Sequence, residues 1–274
     1  MKQELTIGFS PCPNDCFIFD ALIHHKIDTG NYEFIPVIED VETLNQLALK
    51  GKLDITKLSY HAYLHVKHYY TLLSSGSALG FGCGPLLVTH SKEIAQIFED
   101  KNIEQISKLK TLIPGELTTA NFLLKTFYPE LQNKTTIIFN EIESALLNKT
   151  ADVGAIIHEN RFTYQQKGLI KICDLGEKWE QSTNLPIPLG GIMAKTSLGS
   201  SVIQDIEQYI KKSVEYAFAN KASVMPFVKQ HASEMSEEVM QAHINLYVND
   251  FSINLGKVGI EAINTFLQKG ESFQ

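Results

Sequence analysis

The sequence lacks the features that whole classes of protein require. No apolar run approaches the roughly 20 residues that span a bilayer. No basic block is present among the 24 Lys and Arg residues, and 31 acidic residues give a formal net charge of −7. Because contacts to phosphates need clustered basic side chains, we expect neither a membrane nor a nucleic acid as a partner.

Cysteine is scarce, with four residues at Cys12, Cys16, Cys83 and Cys173. The gap between the first two fits neither a redox pair nor half of a zinc site, so we expect structural thiols. The first residues, MKQELTIGFSPCPNDC, lack the charged and then apolar pattern of a secretory signal. These absences predict a cytoplasmic protein.

What the sequence does contain is an alternation of short apolar runs with helical patterns. Strands are predicted at residues 5–9, 33–38, 53–56, 70–75, 85–90, 109–113, 136–139 and 153–157. Helices are predicted at residues 14–25, 41–50, 59–67, 92–98, 118–127 and 142–148, and four more in the part beyond residue 195. The alternation favours an α/β fold with parallel or mixed sheets, followed by a helical C-terminal part.

No repeat and no Ser/Gly-rich linker marks a simple division into two domains. No linker is needed if one lobe is formed by two separate parts of the chain. Gly and Pro at residues 80–85 and 185–191 suit the points where the chain would pass from one lobe to the other. We therefore predict two lobes with a ligand cleft between them. Lobe 1 comprises residues 1–88 and 190–274, and lobe 2 comprises residues 89–189.

Ligands in open α/β sheets bind beyond the carboxyl ends of the strands. Four segments follow predicted strands in this way: residues 10–15, 57–60, 114–120 and 158–162. Their Asn, Asp, Ser and Thr residues have two interpretations. Each is an ordinary N-cap, or together the helix N-termini offer amide groups to a small carboxylate.

His158 directly follows the apolar run 155–157, where a buried strand should end. An imidazole in that place is suited to general acid–base chemistry, although a histidine with a purely structural role fits the same pattern. Glu159 and Arg161 either orient the ring, hold substrate, or pair with each other at the surface.

Metal and cofactor signals are weak. His61, His65 and His68 have a spacing that permits a metal, but no HExxH motif or carboxylate partner accompanies them. The glycine-rich residues 80–85 match neither a P-loop nor a dinucleotide fingerprint. We expect no metal and no cofactor.

Several spaced blocks occur in order: SPCPND at 10–15, EDVETLN at 39–45, TKLSY at 56–60, PGELTTA at 114–120, IIHENRFTY at 156–164 and LPIPLG at 185–190. With these blocks the chain resembles the 1,4-dihydroxy-6-naphthoate synthases of the futalosine route to menaquinone. The resemblance covers nearly the whole chain. One departure is Cys16, where many relatives are expected to have a hydroxyl residue.

The resemblance implies a fold like that of the type II periplasmic binding proteins. It also implies a lyase that converts cyclic dehypoxanthinyl futalosine to 1,4-dihydroxy-6-naphthoate and releases dihydroxyacetone. His158 maps to the proton acceptor. The implied substrate contacts are Lys57, Leu58, Ser59, Thr118, Thr119 and Ala120.

In the mechanism that we hypothesise, Ser59, Thr119 and the region of Asn14 anchor substrate oxygens while His158 moves the proton and the lobes close. Three alternatives stay open at this point. They are chorismate dehydratase of the same pathway, a non-enzymatic protein of this fold that binds a small carboxylate, and a metal-dependent hydrolase. A monomer and a homodimer are both compatible with the sequence.

Overall fold

The computed structural model describes residues 2–232 and 236–272. Its strands are β1 Gln3–Phe9, β2 Tyr32–Ile38, β3 Ile55–Ser59, β4 Tyr70–Leu72, β5 Ala78–Gly80, β6 Leu86–Thr89, β7 Thr111–Ile113, β8 Lys134–Thr136, β9 Val153–Ile156, β10 Ile170–Asp174 and β11 Ile187–Lys195.

The first nine helices alternate with these strands. They are α1 Pro13–Ile23, α2 Val41–Leu49, α3 Tyr60–Val66, α4 Lys92–Glu99, α5 Ile103–Ile106, α6 Thr119–Phe127, α7 Ile142–Leu147, α8 Asn160–Thr163 and α9 Leu175–Thr183. The remaining five follow the last strand as α10 Ser200–Ala219, α11 Lys221–His231, α12 Glu237–Tyr247, α13 Asp250–Ile253 and α14 Gly256–Glu271.

The chain divides into two compact units. Unit 1 comprises Met1–Gly80 and Pro188–Gln274, and unit 2 comprises Phe81–Ile187. The two points where the chain passes from one unit to the other both fall in the Gly- and Pro-containing segments of the sequence. The lobes predicted above, residues 1–88 with 190–274 and residues 89–189, stay a prediction.

Unit 1 contains a sheet in the order β2-β1-β3-β11-β4, with β5 paired to β11. Strands β1, β2 and β3 run parallel, whereas β11 is antiparallel to β3 and β4. Helix α1 is buried from Pro13 to Leu22 because α10, α11 and α12 pack against it. Phe9 of β1 and Phe19 of α1 stack with ring centroids 4.6 Å apart in this core.

Unit 2 contains a sheet in the order β10-β6-β9-β7-β8. The strand pairs β7–β8 and β7–β9 are parallel, and β6 is antiparallel to β9 and β10. Its core includes Val88, Leu112, Ile142 and Ile156. Both sheets are therefore mixed, as the fold class predicted.

The structure corrects two of the predicted strands. The third strand is Ile55–Ser59 rather than residues 53–56, so Lys57–Ser59 is not the loop that was predicted. Strand β8 ends at Thr136, and a short 3₁₀ helix follows at Phe139–Glu141 where the sequence predicted strand. Among the described residues, no helix is both long and apolar enough to cross a membrane.

Candidate active site

The predicted contacts in unit 1 lie on β3 and at the start of α3. Leu58 is fully buried, and Ser59 is 3% exposed. The Ser59 N–H donates to Oδ1 of Asn45 at 3.1 Å, and the Ser59 hydroxyl oxygen accepts from the Ala62 N–H at 3.0 Å. Ser59 is thus the N-cap of α3, which is one of the two roles the sequence allowed.

A buried ion pair lies beside these residues. The Lys57 Nζ atom is 3.0 Å from Oδ1 of Asp15, and it also donates to the Gly76 carbonyl oxygen at 3.0 Å. Oδ2 of Asp15 accepts from the N–H and the hydroxyl of Ser10, at 3.1 and 2.7 Å. The ammonium group of Lys57 therefore neutralises a carboxylate in the first turn of α1.

Asn14 belongs to the same cluster. Its Nδ2 atom donates to Oδ1 of Asp15 at 2.8 Å, and its Oδ1 atom has no hydrogen-bond partner within the described part of the chain. The residue as a whole is 6% exposed. A buried acceptor without a donor is costly in a folded protein, so this carbonyl oxygen marks a place where a further donor would be stabilising.

In unit 2 the predicted contacts surround the first turn of α6. Thr118 is the N-cap: its hydroxyl oxygen accepts from the Asn121 N–H at 3.3 Å and its hydroxyl donates to the Gly115 carbonyl oxygen at 2.8 Å. Thr119 and Ala120 are buried and form the first helical turn. The positive end of the helix dipole and these amide groups favour a negative charge here.

His158 follows β9 and is partly exposed. Its backbone φ is 57°, which is in the left-handed region that few non-glycine residues adopt, histidine being among the more frequent ones. The ring forms an edge contact with Phe139, with centroids 5.0 Å apart and an interplanar angle of 68°. Such outliers concentrate at functional positions.

Strand topology relates His158 to the α6 segment. Strands β7 and β9 are parallel neighbours, with Thr111 paired to Val153 and Leu112 to Gly154. The carboxyl ends of parallel strands meet at one edge of the sheet. The segment that leads into α6 and the segment that carries His158 therefore leave the same edge of the unit 2 sheet.

The structure gives Arg161 a partner that the sequence did not suggest. Its guanidinium group donates to Oδ2 of Asp174 and to the Gly84 carbonyl oxygen, both at 2.6 Å. The carboxylate of Asp174 also caps α9. Asp174 was missed from the sequence because Arg161 and Gly84 are distant from it in the chain, whereas Asp15 lies in the segment 10–15 that the sequence analysis singled out.

The remaining histidines and thiols fit structural roles. His61 and His65 have ring centroids 5.9 Å apart, and no group of three possible ligands for a metal occurs among the described residues. All four cysteines are free thiols. Burial raises the pKa of Cys83 to about 12 and raises the pKa of Cys16 as well, so both thiols are protonated at neutral pH.

The fold is periplasmic-binding-protein-like. The ligand-binding component of an ABC-type import system from Staphylococcus aureus matches with a TM-score of 0.70 at 13% identity, over 99% of this chain and 93% of that one. The periplasmic aliphatic sulphonate binding protein of Escherichia coli matches with a TM-score of 0.64 at 10% identity, over 100% and 87%.

The family follows from the sequence itself. The chain belongs to the menaquinone biosynthesis family, whose model matches residues 5–272. It is 40% identical to a 1,4-dihydroxy-6-naphthoate synthase of Thermus thermophilus, over 98% of this chain and 95% of that one. It is 37% identical to the synthase of the same name from Streptomyces coelicolor, over 97% and 93%. The predicted resemblance and fold class are confirmed.

Proposed function

We propose that the chain is an enzyme with 1,4-dihydroxy-6-naphthoate synthase activity. It converts cyclic dehypoxanthinyl futalosine to 1,4-dihydroxy-6-naphthoate and dihydroxyacetone, as a carbon–carbon lyase that needs no cofactor. Membership of the menaquinone biosynthesis family and the names of the two bacterial relatives support this activity. The four free thiols support a cytoplasmic location, since disulfides are rare there.

One observation carries the assignment of His158 as proton acceptor. His158 and the α6 segment leave the same edge of the unit 2 sheet, because β9 and β7 are parallel neighbours. Cleavage of a carbon–carbon bond beside a carbonyl needs a base, and a positioned histidine typically contributes about 10²–10⁴-fold. We assign stabilisation of the oxyanion that develops to the amides of Thr119 and Ala120 and to the Thr119 hydroxyl, while Thr118 caps the helix.

Among the unit 1 residues, Asn14 is proposed to contact substrate directly, and Lys57, Leu58 and Ser59 are proposed to support that contact; none of them is proposed to transfer protons. Asn14 offers a buried carbonyl oxygen that a substrate hydroxyl would satisfy. The ammonium group of Lys57 is engaged by Asp15, so we assign this lysine the role of holding the start of α1 against β3. Leu58 and Ser59 contribute through the strand that they form.

A direct assay tests the function. Purified protein is incubated with cyclic dehypoxanthinyl futalosine, without metal or nucleotide and in the presence of a chelator, and the naphthoate and dihydroxyacetone are measured by mass spectrometry. We expect both products in equal amounts. No turnover with that substrate, together with dehydration of chorismate in a parallel incubation, would assign the sister activity of the pathway instead.

The role of His158 is tested with H158N. Asparagine tolerates a positive φ, so this variant should fold and bind substrate yet lose turnover. The matched control is H25N, because His25 has a φ of 53° and the variant makes the same substitution in the same backbone conformation in unit 1. H25N should retain full activity. Near-normal turnover by H158N would refute the assignment.

A further inference from the structure

Arg161 connects three segments of unit 2, two through its guanidinium group and one through its backbone N–H. Nη1 donates to the Gly84 carbonyl oxygen and Nη2 to Oδ2 of Asp174, both at 2.6 Å. The Arg161 N–H donates to the carbonyl oxygen of His158 at 3.4 Å. The residue that holds the turn after His158 is therefore also the residue that binds Gly84 and Asp174.

The two partners of this guanidinium are themselves fixed. Oδ1 of Asp174 accepts from the Gly176 and Glu177 N–H groups at 2.8 and 3.1 Å. Gly84 and Gly176 lie in such close contact that a Cβ on Gly84 would be 2.3 Å from the Gly176 Cα atom. Arg161 therefore binds to tightly packed backbone.

The backbone of His158 needs such support. A left-handed conformation is unfavourable at a residue other than glycine, and it persists where the surroundings determine it. The turn that carries His158 is short: β9 ends at Ile156 and α8 begins at Asn160. An arginine fork is rigid and matches a carboxylate in a way that lysine cannot.

We propose that Arg161 is a positioning residue, which fixes the turn that carries the His158 imidazole by clamping it to Gly84 and Asp174. The inference rests on the proposed function only for the consequence to catalysis. The clamp itself is a statement about the structure of unit 2.

The kinetic test uses R161M and R161K. A misplaced catalytic group costs turnover more than binding, so we expect kcat to fall about 10- to 100-fold with KM little changed. R161K should fall nearly as far because the shorter lysine side chain cannot place one nitrogen at the separate positions that Nη1 and Nη2 occupy beside Gly84 and Asp174. Guanidinium, added well below denaturing concentrations to R161A, should restore part of the lost kcat. A simple structural defect would not respond to it.

A matched control separates positioning from loss of an ion pair. Lys26 contacts Asp20 at 2.6 Å, as Arg161 contacts Asp174, and both aspartate side chains are 1% exposed. K26M therefore removes a similar pair in unit 1 and should leave kcat unchanged. D174N keeps an N-cap for α9 but loses the charge, and should reproduce the kinetic defect of R161M. Normal kcat in both R161M and D174N would overturn the proposal.

A second measurement does not depend on activity. Amide hydrogen exchange in R161M should accelerate together in peptides covering residues 157–164 and 82–86, whereas K26M should leave both unchanged. If the wild-type protein fails to convert the proposed substrate, the proposed function is wrong. The exchange pattern still shows whether Arg161 fixes the turn that carries His158. Unchanged exchange in both peptides of R161M would contradict this role.

Discussion

The ammonium group of Lys57 lies 3.0 Å from the carboxylate of Asp15, with the two side chains only 7% and 3% exposed. Neither charge is solvated, so each depends on the other and on hydrogen bonds from Ser10 and to Gly76. This pair joins the middle of β3 to the start of α1. Lys57 thus has a structural partner in Asp15, and its predicted role as a substrate contact stays a prediction.

Removal of the carboxylate should therefore destabilise the protein strongly. D15N leaves a buried ammonium without its counter-charge, and breaking such a pair from one side costs about 3–5 kcal/mol. Urea unfolding followed by circular dichroism measures the loss. The double variant D15N/K57M should recover part of it, because the unpaired charge is gone.

The comparison for this experiment is the exposed pair of Lys108 and Glu104, with side chains 68% and 82% exposed. Pairs of this kind contribute little to stability, so K108M should unfold at the same urea concentration as the wild type. A D15N variant as stable as K108M would show that the Asp15–Lys57 pair does not hold these elements together.

The close approach of Gly84 and Gly176 gives a second prediction. A Cβ on Gly84 would lie 2.3 Å from the Gly176 Cα atom, and backbone cannot move aside as a flexible side chain does. G84A should cost about 1–3 kcal/mol or more. The measurement is the thermal unfolding temperature of G84A compared with that of the wild type.

Gly168 is the matched position. It has a φ of 87°, and a Cβ atom on this residue would have nothing within 4 Å, so space is not limiting there. Asparagine is among the residues least disfavoured at positive φ after glycine, so G168N, which meets backbone strain but no close contact, should lose less stability than G84A. Equal stability of G84A and G168N would mean that Gly84 and Gly176 are not in the contact described.

Local patterns predicted much of this fold. Ser59 and Thr118 were recognised as N-caps because the hydroxyl and the helical pattern are adjacent in the chain. His158 is a candidate because it follows a continuous apolar run, and its role stays a prediction. Residues 170–183, which form β10 and α9, were missed: Asp174 is both the last residue of the strand and the cap of the helix, so no turn residues separate them.

Contacts between residues that are distant in the sequence could not be predicted from local patterns. Nothing in the sequence near Lys57 indicates that Asp15 is its partner, and nothing near Arg161 indicates Gly84 or Asp174. Such pairs form because the strands bring their ends together, which is a property of the whole sheet. The sequence proposes candidate residues for the site, and these stay predictions, whereas the neighbours that hold them are visible only in the structure.

The backbone of His158 gives a third prediction, on stability rather than activity. At a φ of 57°, alanine is disfavoured by its Cβ atom and glycine is not. H158G should thus be more stable than H158A by about 1 kcal/mol. In an ordinary helix the order reverses, so A222G in α11 should be the less stable form. If H158A is the more stable of the pair, the left-handed turn is absent.

The last prediction concerns the stability of unit 2 at alkaline pH. Burial raises the pKa of Cys83 from 9.0 to about 12, with Arg161 opposing the shift and Glu180 adding to it. Below pH 9 the thiol is protonated in both the native and the unfolded state, and its contribution to stability is complete. Between these two pKa values only the unfolded state ionises, so stability falls as pH rises, by about 1.4 kcal/mol per pH unit for one proton.

The only tryptophan of the chain, Trp179, is fully buried in unit 2, and its fluorescence reports on this unit. Urea unfolding followed at this residue should give a free energy that declines above pH 9 in the wild type and declines less steeply in C83A. Cys173, whose pKa burial also raises, accounts for a remaining slope. The difference between wild type and C83A should be constant below pH 8 and should shrink from pH 9 upward, because the wild type alone loses the contribution of Cys83. A difference that stays constant up to pH 10.5 would mean that this thiol ionises as easily in the native protein as in the unfolded chain.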